Sequence, residues 1–199
     1  MNDRFFLLDD KRQEQILNAG YKGFAQNTYA KTSMSMVAEE AGISKSLLFH
    51  YFLNKKEFYL YLYERAVMQI KETLPDEAGA GEEDLLELLT EHIGKKWKLL
   101  KENPFMLQFM NRAYYEKEEE LQKDLREITN QYMTKPIEEI IYRIQSKGRA
   151  QTDSELVKVL FYLSEGFALM NKEKIQENPE DAIEEFISMI RLLRVKNIL

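Results

Sequence analysis

Residues 33–58 have the sequence SMSMVAEEAGISKSLLFHYFLNKKEF, and this stretch decides the fold of the N-terminal part of the chain. Ser33 and Ser44 belong to the residue types that favour helix N-caps, and each opens a short helical segment. Gly42 lies between the two segments, where a residue that tolerates left-handed dihedral angles can end a helix. Ala38 is small enough for the two helices to pack closely. The stretch therefore predicts a helix-turn-helix.

The same stretch separates an inner face from an outer face. Val37, Ile43 and Leu48 are expected to form the small core between the two helices. The second helix then projects its other side chains outward, where a major groove of DNA could receive them. These outward residues are Lys45, Ser46, Leu47, Phe49, His50 and Tyr51.

The rest of the chain is predicted to be helical as well. Its 199 residues include 8 Gly and 4 Pro, and no segment alternates with a period of two, so we expect an all-α protein of about nine helices. We divide it into a helix-turn-helix domain of three helices, residues 1–55, and a larger helical domain, residues 56–199. A polar segment, Glu77–Glu83, is predicted to be a linker. Pro136 is expected to kink or split a long helix over residues 117–146.

Charge and composition exclude several classes of protein. The net charge is −6, but the first 60 residues carry eight Lys/Arg and seven Asp/Glu, a balance of +1, so the N-terminal part is electrostatically distinct. The absence of cysteine and the presence of two histidines exclude thiolate and multi-histidine metal sites, and we expect neither metal nor cofactor. No apolar run reaches about 18 residues, and the N-terminus lacks signal-peptide features. We therefore expect a cytoplasmic protein without a membrane partner.

The N-terminal part resembles the DNA-binding domain of TetR-family transcriptional repressors. The resemblance is carried by Ala41-Gly42-Ile43-Ser44, then Phe49-His50-Tyr51-Phe52, then Lys55, and it covers about residues 9–67. The remaining residues resemble the family only in the number and length of their helices. The family commonly has tyrosine at the position of Phe49, so a phosphate hydrogen bond from that hydroxyl is not available here.

The resemblance implies binding to a double-stranded DNA operator, with a role for each matching residue. Lys45 has the only full positive charge on the recognition helix and is the best candidate for a guanine contact, while Leu47 could offer only apolar contact, for example to a thymine methyl. Base edges would be faced by Lys45, Ser46, Leu47 and His50. Backbone phosphates would be contacted by Ser33, Ser35, Tyr51 and Lys55. Phe52 is expected in the core.

A repressor of this kind needs a homodimer, because one short helix contacts too few bases. The last two helices have apolar stripes that could form a four-helix interface between subunits, although some of these residues must bury the monomer's own core. The stripes consist of Leu156, Val159, Leu160, Leu163, Phe167 and Met170, and of Ile183, Phe186, Ile187, Ile190 and Leu193.

The resemblance also implies a small-molecule effector that releases the repressor from DNA. Aromatic and methionine side chains in the middle helices suit a pocket for a largely apolar ligand, and they suit an ordinary core equally well. The predicted ligand-binding residues are Trp97, Phe105, Met106, Phe109, Met110, Tyr114 and Tyr142.

An enzyme and a ligand-binding module are the two alternatives to a DNA-binding regulator. A serine hydrolase would have to use His50 or His92, and neither lies near a glycine-framed serine, so we expect no enzyme. A ligand-binding module with a vestigial DNA-binding domain would disperse Lys45, Lys55 and Lys56, or would oppose them with Glu39 and Glu40. A functional DNA-binding domain would present the three lysines on one exposed face.

Overall fold

The computed structural model describes residues 3–74, 85–146 and 151–195, and all of its regular elements are helical, as predicted. A 3-10 turn, Asp3–Leu7, precedes the first α-helix, and a π-helical turn, Asn130–Thr134, precedes α8. The α-helices are α1 Asp10–Gln26, α2 Met34–Glu40, α3 Lys45–Tyr51, α4 Lys55–Lys71, α5 Leu85–Glu102, α6 Pro104–Tyr114, α7 Glu119–Thr129, α8 Lys135–Ser146, α9 Gln151–Met170, α10 Lys172–Glu177 and α11 Pro179–Val195. The predicted linker, Glu77–Glu83, lies outside the described residues.

The chain forms two compact units, and neither is continuous in sequence. The first unit comprises Met1–Gln69 and Asn103–Tyr132, and the second comprises Ile70–Glu102 and Met133–Leu199. Helix α4 therefore begins in the first unit and ends in the second. The division at residue 55 stays a prediction, because these units are defined by packing alone.

The core of the first unit is built from aromatic rings on α1, α4 and α6. The ring of Phe109 on α6 lies 5.6 Å from that of Tyr21, 6.1 Å from that of Phe24 and 5.0 Å from that of Tyr59. Gly20 lets α1 approach α4 closely, because a Cβ atom there would lie 2.6 Å from Cζ of Phe58. A helix distant in sequence thus completes the core beneath the helix-turn-helix.

The core of the second unit centres on Trp97 of α5. The indole is fully buried, stacks on Phe167 of α9 at 5.2 Å between ring centroids, and meets Phe186 of α11 edge-on at 5.6 Å. Lys96, which is also buried, forms an ion pair with Glu165 of α9. These contacts join α5, α9 and α11.

A buried hydrogen-bond chain lies at the C-terminal end of α4. The Thr73 hydroxyl donates to the Ile70 carbonyl at 2.7 Å, so its oxygen accepts from Nδ1 of His92 at 2.9 Å. Burial is the main cause that lowers the pKa of His92 from 6.5 to about 4. A hydrogen bond with the backbone of Thr73 and the charge of Glu165 oppose this shift, and the nearby Lys96 ammonium adds to it. The folded protein therefore holds His92 neutral.

This histidine predicts an acid-sensitive free energy of unfolding. Between about pH 4 and 6.5 the unfolded chain binds a proton at His92 that the folded protein excludes. The contribution of His92 to the free energy of unfolding therefore falls as the pH falls. Urea unfolding at about pH 5 and about pH 7 should show the wild type losing about 1–2 kcal/mol more than His92→Gln. Parallel pH profiles for the two proteins would contradict it.

Several helix boundaries confirm the sequence analysis, and others differ from it. The starts predicted at Ser33 and Ser44 are confirmed. Helices α6 and α11 begin at Pro104 and Pro179, each directly after an asparagine, where the missing N–H of proline costs little. The long helix is interrupted before Pro136, at the π-helical turn, so this proline is the second residue of α8, where its missing N–H costs little. The 3-10 turn and α10 were not predicted. No helix within the described residues is long and apolar enough to cross a membrane.

Candidate nucleic-acid interface

The turn between α2 and α3 depends on a left-handed glycine. Gly42 has φ +64°, and its N–H donates to the Glu39 carbonyl at 2.9 Å, while the Ile43 N–H donates to the Ala38 carbonyl at 2.9 Å. Arg12 of α1 donates from Nη2 to the Gly42 carbonyl at 2.9 Å. The turn is therefore closed by its own backbone and attached to α1.

The inner face of the helix-turn-helix agrees with the prediction. Leu48 is fully buried, Val37 and Ala38 are buried, and Ile43 is half-buried. Phe52, expected in the core, is fully buried at the end of α3. Because this side of α3 packs inward, the opposite side faces outward.

The predicted DNA-contacting residues divide by exposure. Leu47 is 36% exposed and is the apolar member of the outward face of α3. The prediction that Tyr51 projects outward is wrong: Tyr51 is 8% exposed, because its ring packs against Phe5. Phe49 and Lys55 are half-buried. The exposed residues, which surround the starts of α2 and α3 and continue along α3, are Ser33, Ser35, Lys45, Ser46, Leu47 and His50.

Hydrogen bonds fix the polar residues at the start of α3. Ser44 Oγ accepts from the Leu47 N–H at 3.1 Å and lies 2.9 Å from Ser46 Oγ. Nζ of Lys45 lies 5.8 Å from the centroid of the Phe49 ring. The N-terminal end of α3 is thus held in position by local contacts.

The other two lysines are engaged within the protein. Lys55 donates to the Ala30 carbonyl at 3.2 Å and lies over the Tyr29 ring, and burial lowers its pKa. Lys56 lies 2.8 Å from Asp124 and 3.5 Å from Glu120 of α7, and its hydrogen bond to Asp124 raises its pKa. The three lysines therefore do not share one exposed face.

Glu40 is one of the two carboxylates that could oppose DNA binding, and a lysine neutralises its charge. Glu40, at the end of α2, forms an ion pair with Lys22 of α1 at 2.7 Å. This pairing reduces the negative charge near the turn. The electrostatic criterion set from the sequence is therefore not met: Lys45 is exposed on α3, but Lys55 and Lys56 are half-buried and engaged within the protein, as expected of a ligand-binding module.

Arg4 is a residue at this surface that the sequence analysis missed. The 3-10 turn places Nη1 of Arg4 3.2 Å from Nε2 of His50 on α3. The turn is anchored by Phe5, which is fully buried against Tyr51 and Phe52. The feature of the sequence that could have revealed this anchoring is the apolar run Phe5–Leu8.

The predicted ligand-binding residues fall in both units. In the first unit Met106 and Phe109 are buried, Met110 is half-buried, and Phe105 and Tyr114 are exposed. In the second unit Trp97 is fully buried, while Tyr142 is exposed and lines a surface groove with Lys135, Glu138 and Glu139. Their role in binding a ligand stays a prediction. The described residues contain no group of three or more His, Cys, Asp or Glu side chains placed to hold a metal.

Comparison with known proteins identifies the helix-turn-helix. Residues 16–62 match the family model of bacterial regulatory proteins, tetR family. The helix-turn-helix of this chain is therefore similar to the DNA-binding part of TetR-family regulators. No curated protein matches the chain by sequence.

Solved structures of bacterial regulators share the fold of this chain. The fatty acid degradation regulator FadR of Bacillus halodurans is 16% identical with a TM-score of 0.71, covering 90% of this chain and 96% of its own. FadR of Bacillus subtilis, solved with stearoyl-CoA, is 22% identical with a TM-score of 0.67, covering 88% and 97%. A TetR-like regulator of Rhodococcus is 20% identical with a TM-score of 0.66, covering 93% and 96%.

Proposed function

We propose that this protein is a regulator of the TetR family and a homodimeric repressor, released from a palindromic operator by a small, largely apolar effector. The observation that carries the proposal is the outward face of α3, with Lys45, Ser46 and Leu47 exposed above the fully buried Leu48. A dimer would place two such helices in successive major grooves, about 34–36 Å apart.

An exposed apolar stripe supports the dimer. On α9 it follows helical spacing, and at its centre a Cβ on Gly166 would meet no atom within 4 Å. Part of the predicted interface instead buries the second unit's own core: Leu160, Phe167, Phe186 and Ile190. The side chains of Leu156 and Leu193 lie outside those described. The exposed stripe consists of Val159, Tyr162, Leu163, Leu169 and Met170 on α9, with Met189 and Leu192 on α11.

A stripe of this kind suits a second copy of the chain. Two helices from each subunit can pack as a four-helix interface, and a twofold axis lets the same surface serve both partners. A glycine at its centre permits close approach of the two helices. The exposed side chains are large and apolar, the composition of an obligate homodimer interface.

Two observations support an acyl-chain effector. Nε1 of the fully buried Trp97 has no hydrogen-bond partner among the described residues, so a carbonyl oxygen of a bound molecule would satisfy it. FadR of Bacillus subtilis, with a TM-score of 0.67, was solved with stearoyl-CoA. We therefore propose a long-chain acyl thioester as the effector class.

Release follows from linkage between the two sites. The effector favours another packing of the larger domain's helices, and α4, whose last two residues belong to the second unit, moves with them. This changes the spacing of the two recognition helices. A coupling of about 1–3 kcal/mol is typical, and the effector must then bind more weakly to the DNA complex by the same factor.

The DNA-binding part of the proposal is tested at Lys45. Operator sequences are first selected from random duplex DNA, and they should be palindromic with half-site centres about 10 bp apart or a multiple of this. Lys45→Ala should weaken operator binding by about 1–3 kcal/mol per half-site and relax the preference at one base pair in each. Lys172→Ala, at an exposed position of α10, is the matched control and should bind as the wild type does. If the wild type selects no sequence, or if Lys45→Ala keeps its affinity and preference, the proposal fails.

The effector part is tested with stearoyl-CoA. Added to the complex of protein and selected operator, it should raise the Kd for DNA by about 5–150-fold. It should also raise the melting temperature of the free protein, because it binds the folded state. Coenzyme A without an acyl chain is the control. Equal responses to the two compounds would exclude the acyl chain as the recognised group.

A further inference from the structure

The 3-10 turn at the N-terminus is built into the helix-turn-helix domain. Phe5 is fully buried, and its ring centroid lies 5.0 Å from that of Phe52, 5.7 Å from that of Tyr61 and 5.9 Å from that of Tyr51. Aromatic contacts of this geometry are stabilising beyond the apolar area they bury. The turn is therefore fixed against the C-terminal end of the recognition helix and against α4.

This anchoring brings Arg4 beside the recognition helix. Its Nη1 lies 3.2 Å from Nε2 of His50, and both side chains are exposed. A guanidinium can only donate hydrogen bonds, so Nε2 of His50 accepts in this contact. A neutral imidazole that accepts at Nε2 carries its proton on Nδ1. The guanidinium of Arg4 and the Nδ1–H of His50 therefore lie side by side at the exposed surface.

Donors of this kind match phosphate oxygens. Phosphates accept charge-assisted hydrogen bonds from arginine in a fixed fork geometry. In a helix-turn-helix the N-terminal residues of the recognition helix contact base edges. His50 is the second-last residue of α3, so Arg4 lies at the opposite end of the helix from Lys45. That position favours the DNA backbone over the base edges.

We propose that Arg4 is a phosphate-binding residue of the DNA interface, and that it holds His50 in the tautomer that donates to the same backbone. This inference depends on the proposed DNA-binding function. It adds a cation outside the matched residues 16–62. Arg4 and Lys45 would place positive charge at the two ends of α3.

The test is the salt dependence of binding. Kd values are measured over a range of salt for the wild type, Arg4→Ala, Arg4→Lys and the control Lys172→Ala, each with the selected operator and with an unrelated duplex. Removing one phosphate-binding side chain from each subunit should reduce the slope of log K against log salt by about 1.8 for a dimer. Arg4→Ala should weaken binding to both duplexes by the same factor, without changing the sequence preference.

The remaining variants separate this role from a structural one. Arg4→Lys keeps the charge and should keep most of the slope, and Lys172→Ala should keep all of it. The inference is overturned if Arg4→Ala keeps the wild-type slope of log K against log salt. It is also overturned if Arg4→Ala weakens binding to the operator alone, or if Lys172→Ala reduces the slope by the same amount. A melting temperature lowered in Arg4→Ala and in Arg4→Lys alike, with the wild-type slope in both, would assign Arg4 to folding alone. A wild type without salt-dependent binding would instead overturn the proposed function.

Discussion

Replacing Leu163 by glutamate is expected to convert the dimer into monomers and to abolish tight operator binding. Leu163 is exposed in the middle of the apolar stripe of α9, one turn from the open position at Gly166. In a symmetric interface the substitution would bury two carboxylates, and each unpaired buried charge costs several kcal/mol. Operator affinity should fall by at least about 100-fold, because a monomer contacts one half-site only.

Sedimentation and operator titration together measure this effect. Lys123→Glu, at an exposed position of α7 in the first unit, introduces the same side chain away from the stripe and should remain dimeric. Leu163→Glu should keep its helical circular dichroism, since the side chain is not part of the monomer's core cluster. A Leu163→Glu protein that remains dimeric would place the interface elsewhere.

Replacing Trp97 by alanine is expected to lower the free energy of unfolding by about 3–5 kcal/mol. The indole is fully buried between Phe167 and Phe186, so its removal leaves a cavity among α5, α9 and α11. A decrease of this size is a large share of the stability of an ordinary domain. Urea denaturation of the full chain measures it.

Trp97→Phe distinguishes packing from ligand binding. Phenylalanine keeps an aromatic ring against Phe167 and removes the N–H that has no partner among the described residues, so the decrease in stability should stay below about 1.5 kcal/mol. If the effector accepts a hydrogen bond from Nε1, this variant should respond less to stearoyl-CoA at nearly wild-type stability. An unchanged response to stearoyl-CoA would restrict Trp97 to the core.

Local patterns made the helix-turn-helix predictable. Ser33, Gly42 and Ser44 determine a cap, a turn and a second cap within a dozen residues, and the structure shows all three. Each feature depends on dihedral angles and hydrogen bonds between near neighbours. The burial of Leu48 and the exposure of Lys45 then follow from helical spacing alone.

Long-range packing was not predictable in the same way. Helical spacing gives two plausible sides for α9, and only the partners that fold onto it decide that Leu160 is buried and Leu163 exposed. Trp97 and Phe109 are both predicted to bind the ligand because they are large and aromatic, and the sequence pattern does not show that they belong to different units. The anchoring of Phe5 depends on rings more than forty residues away.

Because the first unit is not continuous in sequence, exchanging its N-terminal segment alone is a poor way to transfer DNA-binding specificity between regulators. A chimera that joined residues 1–69 to a foreign effector domain would lack α6 and α7, and with them Phe109, which completes the ring cluster of Tyr21, Phe24 and Tyr59. The exposed rings would favour misfolding of the graft. Redirecting this protein to a new promoter is better done by exchanging the surface residues of α3 within the intact chain.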